Sequence, residues 1–305
     1  MDPQLDLTNR ILSENRKTRR WNTVFKVLAF VYLSLILAPF LPSMWGFSTT
    51  EDEHTAVINI KGAIAENEEA SANNIVGPLR TAFEEESAKA IILAINSPGG
   101  SPVQAGYVYD EIQRLKVLHP KPVYAVISDI GASGGYYIAV AADEIYADKA
   151  SLVGSIGVTA SGFGFVELIN NIGVERRTYT SGEHKNFLDP FLDSRDDESQ
   201  FWSGVLGGVH NQFKNVVLEG RGDRIDANNK ELFSGLIWNG EQALELGIID
   251  GLGSAGYVAR EVIKQDNLIL YDRKKSPLES ILSGLRIEVV RAVNLFAGAN
   301  TIQLN

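Results

Sequence analysis

The sequence predicts an α/β domain with a mainly parallel sheet, preceded by one N-terminal transmembrane helix. The first observation is that short β-branched, apolar runs alternate with stretches of helical periodicity, a pattern typical of α/β folds. The second is an uncharged apolar segment near the N-terminus. The third is a set of three glycine-rich stretches, each placed where a strand is predicted to end.

Four short segments are predicted to be buried strands, because they are apolar, β-branched and bounded by Gly, Pro or Asn. They are residues 55–62, 89–96, 122–128 and 143–148. The segments between the first three, residues 73–87 and 102–118, carry apolar side chains at helical spacing.

From about residue 196 the sequence is dominated by helical patterns. The first helix there has a bulky apolar side chain at every fourth position. These side chains are Phe201, Val205, Val209, Phe213 and Val217. Such a stripe is typical of a core or of a subunit contact.

Residues 27–45 contain no charged side chain over a length close to that of a bilayer core. Basic residues precede this segment and "EDE" follows it at 51–53, so the positive-inside rule predicts a cytoplasmic N-terminus and an exported main domain. A cleaved signal peptide is the alternative, although the apolar segment is longer than a usual signal-peptide core.

The predicted organisation follows from that segment. A cytoplasmic basic segment (1–26), the transmembrane helix (27–45) and a linker (46–54) precede the main domain (55–265). A C-terminal extension (266–305) with an amphipathic helix completes the chain.

Composition excludes several classes of function. The net charge of −10 and the pI near 5.0 argue against a nucleic-acid partner, which would require a basic face. The chain has no cysteine, which excludes disulfides, thiolate metal ligands and a cysteine nucleophile. No His, Asp or Glu cluster has metal-ligand spacing, so neither a metal nor a cofactor is expected.

The three glycine-rich stretches are "NSPGGSP" (96–102), "IGASGGYY" (130–137) and "SLVGSIGV" (151–158). Each alone is compatible with a tight turn. In open α/β folds, however, ligands bind at the carboxyl ends of the strands, and glycines there let backbone amides approach a substrate. The three loops can therefore meet at one site.

Ser133 lies within a G-x-S-x-G pattern at 131–135, which needs a strand, a sharp turn and a helix around the serine. The predicted strand 122–128 and helix 133–142 supply that context. The alternative is that Ser133 is only a small residue where a helix packs closely against a strand. As a nucleophile, it needs a base to remove its proton.

Candidates for that base are few. His54 in the linker and His119 in a turn are predicted to be solvated side chains. A triad would use His184 or His210 with one of three carboxylates, Asp189, Asp193 or Asp250. A dyad would use a lysine, such as Lys185 after a predicted strand at 175–180, whose neutral form is favoured by burial. The residue types alone do not decide between a histidine triad and a serine–lysine dyad.

Five segments together resemble the signal peptide peptidase A family of membrane-anchored serine proteases, in its short form with a single repeat. They are "INSPGGSP", "DIGASGGYYIAVAAD", "LVGSIGV", "TSGEHKNFLDPF" and "WNGEQALELGIIDGLG", and the resemblance runs from about 55 to 256. The "NSPGG" loop also resembles that of the Clp protease subunit. The resemblance implies a ClpP/crotonase-like spiral of ββα units.

The resemblance also implies roles for individual residues. Ser133 would be the nucleophile and Lys185, 52 positions later, the general base. Ser155 would hydrogen-bond the lysine amine and orient it. The N–H groups of Gly134 and Gly100 would form the oxyanion hole, with Gly99 shaping the turn.

The implied function is a membrane-anchored serine endopeptidase that hydrolyses peptide bonds with a Ser–Lys dyad. Its substrates would be hydrophobic signal peptides in or at the bacterial inner membrane, and it would assemble into a homo-oligomeric ring, an octamer. The alternatives are a broader membrane-protein quality-control protease, an α/β-hydrolase-type esterase using Ser133 and His210, and a non-catalytic scaffold.

Overall fold

The computed structural model describes residue 21, residues 23–34 and residues 52–273. The chain divides into two compact units, Met1–Asp52 and Glu53–Asn305. In the first unit, residue 21 and residues 23–34 are helical. Among the described residues, no helix combines the length and the apolar character needed to cross a membrane. Residues 35–45 of the predicted span, and the amphipathic helix predicted after residue 273, lie outside the described residues.

The described part of the second unit contains one sheet of eight strands. The strands are β1 (His54–Lys61), β2 (Ala88–Ser97), β3 (Val123–Ala132), β4 (Glu144–Ala147), β5 (Leu152–Gly154), β6 (Ile237–Asn239), β7 (Gly251–Leu252) and β8 (Leu268–Tyr271). Their order is β6-β5-β3-β2-β1-β8, and β4 pairs with both β3 and β7. All pairs are parallel except β5 with β6. The predicted α/β class with a mainly parallel sheet is confirmed.

Seven α-helices accompany this sheet in the described residues. They are α1 (Ala72–Glu84), α2 (Pro102–Leu118), α3 (Gly134–Ala139), α4 (Val166–Asn171), α5 (Asp196–Arg221), α6 (Gly240–Glu245) and α7 (Ala255–Tyr257). The last continues as a π-helical turn, Val258–Ile263. The start of α2 is set locally, because the Ser101 hydroxyl accepts the Gln104 N–H and Pro102 occupies the first turn.

The main core lies where strands β1 to β3 pack against α1, α2, α3 and the second half of α5. Leu93 of β2, Ile112 of α2 and Tyr136 of α3 are fully buried in it. A smaller cluster joins Ile92 and Val126 to the helical turn after α7. Because the central strands are buried on both faces, they appear in the sequence as nearly continuous apolar runs.

The predicted apolar stripe of α5 is divided. Phe213 and Val217 in its second half are buried in the core, whereas Phe201 is 67% exposed and Val205 is 39% exposed. Only the second half of the stripe therefore serves as core in the single chain.

Three features differ from the sequence-based expectation. Residues 175–180 are irregular and exposed rather than a strand, because no described strand lies beside them to accept their hydrogen bonds. Strand β8 lies within the segment predicted as a C-terminal extension, yet it pairs with β1 in the main sheet. His54 is fully buried, with Nε2 2.9 Å from the Tyr271 hydroxyl, so the prediction of a solvated linker histidine is wrong.

Candidate active site

Ser133 occupies the sharp turn between β3 and α3. Its backbone has φ 51° and ψ −120°, a combination that residues with a side chain rarely adopt. The strand, turn and helix that the G-x-S-x-G pattern requires are therefore all present around this serine.

Ser155 lies beside Ser133 because of the sheet register. Ala132 of β3 pairs with Gly154 of β5, and the Ser133 N–H donates to the Gly154 carbonyl at 2.9 Å. Both serines thus follow directly at the carboxyl ends of adjacent parallel strands, which are spaced about 4.8 Å apart. Ser155 also has φ 51°. A non-glycine residue in such a conformation costs of the order of 1–3 kcal/mol and is typical of functional sites.

The loop after β2 packs directly on the Ser133 turn. Gly99 has φ 98°, and a Cβ added there would lie 2.7 Å from both the Ser133 Cβ and the Gly134 nitrogen. A Cβ on Gly134 would lie 3.3 Å from the Gly100 nitrogen. The first two predicted glycine loops therefore meet, and only glycine at 99 allows this approach.

Among the described residues, nothing in these loops occupies two backbone N–H groups, which are available for a ligand. Ile64 and Gly100 form a parallel bridge that uses the Gly99 carbonyl and the Ser101 N–H. In such a bridge, the N–H of the central residue, Gly100, points away from the partner. Gly134 is the first residue of α3, where an N–H has no partner within the helix.

A cleft of about 630 Å³ opens at the two serines. Its lining includes Ser133, Ser155 and His210, together with the loop residues Pro98, Gly100, Pro102, Gly157, Val158, Thr159, Ser234 and Gly235. Beside it is a small pocket of about 40 Å³, which also contacts Ser133. Tyr137 of α3 and Val209 and Phe213 of α5 form much of its wall.

The sequence predicts no functional role for the three wall residues Tyr137, Val209 and Phe213. Val209 and Phe213 belong to the apolar stripe, which predicts core packing as readily as a pocket wall. Tyr137 packs against Tyr109 and Phe213, with ring centroids 5.6 and 5.1 Å away, and burial raises its pKa. The only sequence signal for this wall was the closeness of Tyr137 to Ser133.

His210 is engaged in a hydrogen bond to the main chain. Its Nε2 lies 3.2 Å from the carbonyl oxygen of Ile156. A carbonyl can only accept, so Nε2 carries the hydrogen in this arrangement and is not free to remove a proton from Ser133.

The three carboxylates predicted as triad partners lie elsewhere. Asp250 accepts hydrogen bonds from Arg221 and Arg224, and Asp189 accepts from Arg176. Asp193 lines a different cavity, near α4. None of the three carboxylates is hydrogen-bonded to His210 or His184 within the described residues, so neither histidine triad is assembled.

Lys185 is exposed, and its N–H donates to the Gly182 carbonyl at 3.1 Å. It is not among the described residues that line the cleft at Ser133. Its neighbour His184 is also exposed and bonds the Glu198 carboxylate at 3.1 Å. The structure thus brings together Ser133, Ser155 and the three glycines, while the role of Lys185 stays a prediction.

A buried ion pair fixes the end of α5. Arg221 is 1% exposed, and its guanidinium donates to both carboxylate oxygens of Asp250, at 2.7 and 2.9 Å. Burial alone would raise the pKa of Asp250, but hydrogen bonds from Arg221 and the Ile145 N–H and the charges of Arg221 and Arg224 hold it below its usual value. The helix that carries His210 is therefore anchored at its far end.

Within the described residues, no group of three or more His, Asp or Glu side chains is placed to hold a metal ion.

Two family models match this chain. The model of peptidase family S49 matches residues 116–268, half of the chain, and the Clp protease model matches residues 54–151. Together they cover the strands, loops and helices that build the cleft.

Three relatives show the range of similar proteins. A Brucella abortus protein named "Na(+)/H(+) antiporter NhaA" is 46% identical over 183 residues, 60% of this chain and 25% of that protein. The Enterococcus faecium "Putative signal peptide peptidase SppA" is 32% identical over 205 residues, 64% of this chain and 59% of that protein. The Arabidopsis thaliana "Serine protease SPPA, chloroplastic" is 30% identical over 228 residues, which are 72% of this chain and 33% of that protein. This chain therefore spans between a quarter and three fifths of their lengths.

Proposed function

The chain belongs to peptidase family S49, and we propose that it is a serine endopeptidase with Ser133 as its nucleophile. One observation carries this assignment. Ser133 is held in a strained turn with the Gly99–Gly100 loop packed against it, at the mouth of a cleft. Strain at a non-glycine residue and convergent backbone N–H groups are what a nucleophile and an oxyanion hole require.

The proposed reaction begins when the Ser133 hydroxyl oxygen attacks the carbonyl carbon of the scissile peptide bond. The amine of Lys185 accepts the serine proton and passes it to the leaving amine as the carbon–nitrogen bond breaks. Water then attacks the acyl-enzyme, with the same lysine as base, and releases the acid and Ser133. The N–H groups of Gly134 and Gly100 bind the oxyanion, and loss of one such donor costs about 3 kcal/mol of transition-state stabilisation.

The dyad requires Lys185 to approach the cleft, where Ser155 would orient its amine. The resemblance of the sequence to the signal peptide peptidase A family supports this role, as does the position of Ser155 directly beside Ser133. No side chain between residues 157 and 212 is buried, so this segment can close over the cleft without disrupting the core.

The proposed substrates are hydrophobic peptides, chiefly signal peptides left after protein export. The pocket beside Ser133 is small, about 40 Å³, and mostly apolar. It therefore favours small aliphatic side chains at the cleavage site. The name of the Enterococcus faecium relative supports signal peptides, and broader degradation of membrane proteins is the competing substrate range.

The proposed location is the bacterial inner membrane. Residues 27–45 would span it once, with the N-terminus in the cytoplasm and the catalytic domain outside. The uncharged segment and the basic residues before it support this topology. Reporter fusions placed after residue 20 and after residue 60 test it, since only the second should be active as an exported reporter.

The proposed assembly is a homo-oligomeric ring, an octamer. Its support is a set of large apolar side chains exposed between residues 157 and 212, at 55–92% of their surface: Phe163, Leu168, Ile172, Tyr179 and Phe201. Such concentration of exposed apolar surface is typical of an interaction site. Analytical ultracentrifugation of the full chain in detergent measures the assembly directly.

A second candidate is an esterase in which His210 acts as the base. The observation in its favour is that His210 lines the same cleft as Ser133. Against it, Nε2 of His210 donates to Ile156 and no described carboxylate orients the ring.

The deciding experiment follows cleavage of a fluorogenic signal-peptide mimic by the full-length protein from pH 6 to pH 10. Ser133→Ala and Lys185→Ala should each lower kcat/KM by at least about 10³-fold, because nucleophile and base act as a unit. The exposed Lys149→Ala is the matched lysine control and should match the wild type. Activity should rise toward mildly alkaline pH, because the base must be neutral.

Two results would contradict the proposal. An active Ser133→Ala variant would exclude this serine as the nucleophile. An active Lys185→Ala variant together with an inactive His210→Gln variant would identify the histidine as the base, because glutamine cannot accept a proton.

A further inference from the structure

His210 makes a contact that the proposed mechanism does not use. It lies on α5 and lines the cleft that also contains Ser133 and Ser155. Its Nε2 donates to the carbonyl of Ile156, the residue that directly follows Ser155. The contact therefore joins a helix of the second half of the chain to the turn of the proposed orienting serine.

The Ser155 turn is strained, and a different element holds each of its three residues. Gly154 accepts a hydrogen bond from the Ser133 N–H, and the Ser155 N–H donates to the Leu236 carbonyl at 2.7 Å. Ile156 is held by His210. Because a positive φ at serine persists only when the surroundings enforce it, each of these hydrogen bonds supports the conformation of Ser155.

The contact does not depend on the protonation state of the histidine. Nε2–H is present both in the imidazolium and in the neutral tautomer that this carbonyl selects. The role of His210 at Ile156 is therefore that of a hydrogen-bond donor, which a side-chain amide can replace.

We propose that His210 is a positioning residue for the catalytic dyad. Through the Ile156 carbonyl it holds the Ser155 turn in the conformation that presents the Ser155 hydroxyl to the Lys185 amine. This inference rests on the proposed function, since it assigns a structural cause to one step of that mechanism. The Arg221–Asp250 pair supports it by fixing α5, the helix from which His210 reaches the turn.

Two substitutions at residue 210 separate the effect of the N–H donor from the effect of the aromatic ring. His210→Gln places an amide N–H near the position of Nε2, whereas His210→Phe keeps an aromatic ring, somewhat larger than imidazole, and removes the donor. We expect His210→Phe to lower kcat about tenfold with KM changed less than threefold, the size expected for the loss of one partly buried hydrogen bond. We expect His210→Gln to recover kcat to within threefold of wild type. Asn211→Ala, an exposed neighbour on the same helix, is the matched control.

A double-mutant cycle with Ser155→Ala tests whether the effect passes through that serine. If His210 acts through Ser155, His210→Phe should lower kcat less than twofold further in the Ser155→Ala background. A purely structural role would instead give the same tenfold loss in both backgrounds. Thermal unfolding of each variant shows whether it is folded, and His210→Leu replaces His210→Phe if the latter is not.

The outcomes distinguish this inference from the proposed function. The positioning role is wrong, and the Ser133–Lys185 dyad is still supported, if Ser133→Ala and Lys185→Ala are inactive but His210→Phe retains full kcat. The same conclusion follows if the losses of kcat caused by His210→Phe and Ser155→Ala are additive. If His210→Gln is inactive and Lys185→Ala is active, both are wrong, because the histidine is then the base.

Discussion

The proposed catalytic residues lie in two regions that are built differently. Ser133, Ser155 and the oxyanion glycines lie between residues 54 and 156, where the main strands are buried and joined in register. Lys185 lies between residues 157 and 212, where no side chain is buried. The core of the sheet therefore positions the proposed nucleophile, whereas the proposed base depends on a segment that the single chain leaves on its surface.

Two ion pairs show the same contrast. The Arg221–Asp250 pair is buried, with side chains 1% and 16% exposed. In the Arg176–Asp189 pair of the exposed segment, the carboxylate is likewise mostly buried, at 10% exposed, but the arginine is 49% exposed. The same type of ion pair therefore lies in two environments. Loss of the carboxylate leaves a buried, uncompensated arginine in the first pair, whereas water solvates the exposed arginine of the second pair.

The largest expected effect comes from removing the carboxylate of the buried pair. Asp250→Asn leaves Arg221 buried without its counter-charge and should lower the free energy of unfolding by about 3–5 kcal/mol, measured by urea denaturation. Asp189→Asn is the matched control and should leave the unfolding midpoint nearly unchanged. Equal losses in the two variants would remove the distinction between the regions.

The pH dependence sharpens the same test. The folded-state pKa of Asp250 is lowered, so its stabilisation is fully present above the unfolded value, near pH 4, and is lost as the pH falls through the folded pKa. The wild type should therefore lose stability below about pH 4, and this part of the loss should be missing from Asp250→Asn.

The next largest effect is expected from substituting a glycine near Ser133, compared with a glycine of the exposed segment. Gly99→Ala places a Cβ against Ser133 and Gly134 and forces a positive φ on alanine, so kcat should fall by about 10²-fold or more through the displaced oxyanion donors. Gly162 has open space around it, and Gly162→Ala should leave kcat within twofold. Peptide hydrolysis by the two purified variants decides this, and an active Gly99→Ala would argue against the assigned oxyanion hole.

A smaller effect tests what covers the exposed segment. If a second copy packs on α5, Phe201→Glu should weaken self-association at least about tenfold, as expected for a large apolar side chain at an interface. Val117→Glu changes a residue that is 83% exposed on α2 and serves as the control. Sedimentation velocity over a range of protein concentrations measures both, and unchanged assembly of Phe201→Glu would exclude this face.

The smallest effect concerns the neighbour of the proposed base. His184 is exposed and bonds only the Glu198 carboxylate among the contacts described for its side chain. His184→Ala should therefore keep kcat/KM within twofold of wild type. A loss approaching that of Lys185→Ala would show that the exposed segment contributes more to the chemistry than its lysine.

The sequence predicts the strand, turn and helix around Ser133 well because their signals are local. The strand ending at Ala132 and the glycines on either side of Ser133 are visible within a dozen residues, and the structure places them as expected. By contrast, the burial of His54 depends on Tyr271, which is 217 positions away, and β8 is too short to be detected without its partner β1. Such contacts are set by the folded chain and leave no local pattern.

The exposed segment could not be predicted in the same way. Residues 175–180 have the composition of a strand, but a strand forms only beside another, and no described strand is available to them. The two halves of the α5 stripe look alike in sequence, yet Phe213 is buried and Phe201 is not. Periodicity identifies an apolar face without identifying what will cover it.

The backbone of Ser133 also has an evolutionary consequence. At φ 51° and ψ −120° a glycine would be relaxed where serine is strained, so Ser133→Gly should yield a chain that is inactive but harder to unfold. Ser155 shares the positive φ of 51°. Loss of Ser133 by mutation to glycine would therefore raise the stability of the fold. Selection for stability alone would favour that mutation, and only selection for activity opposes it.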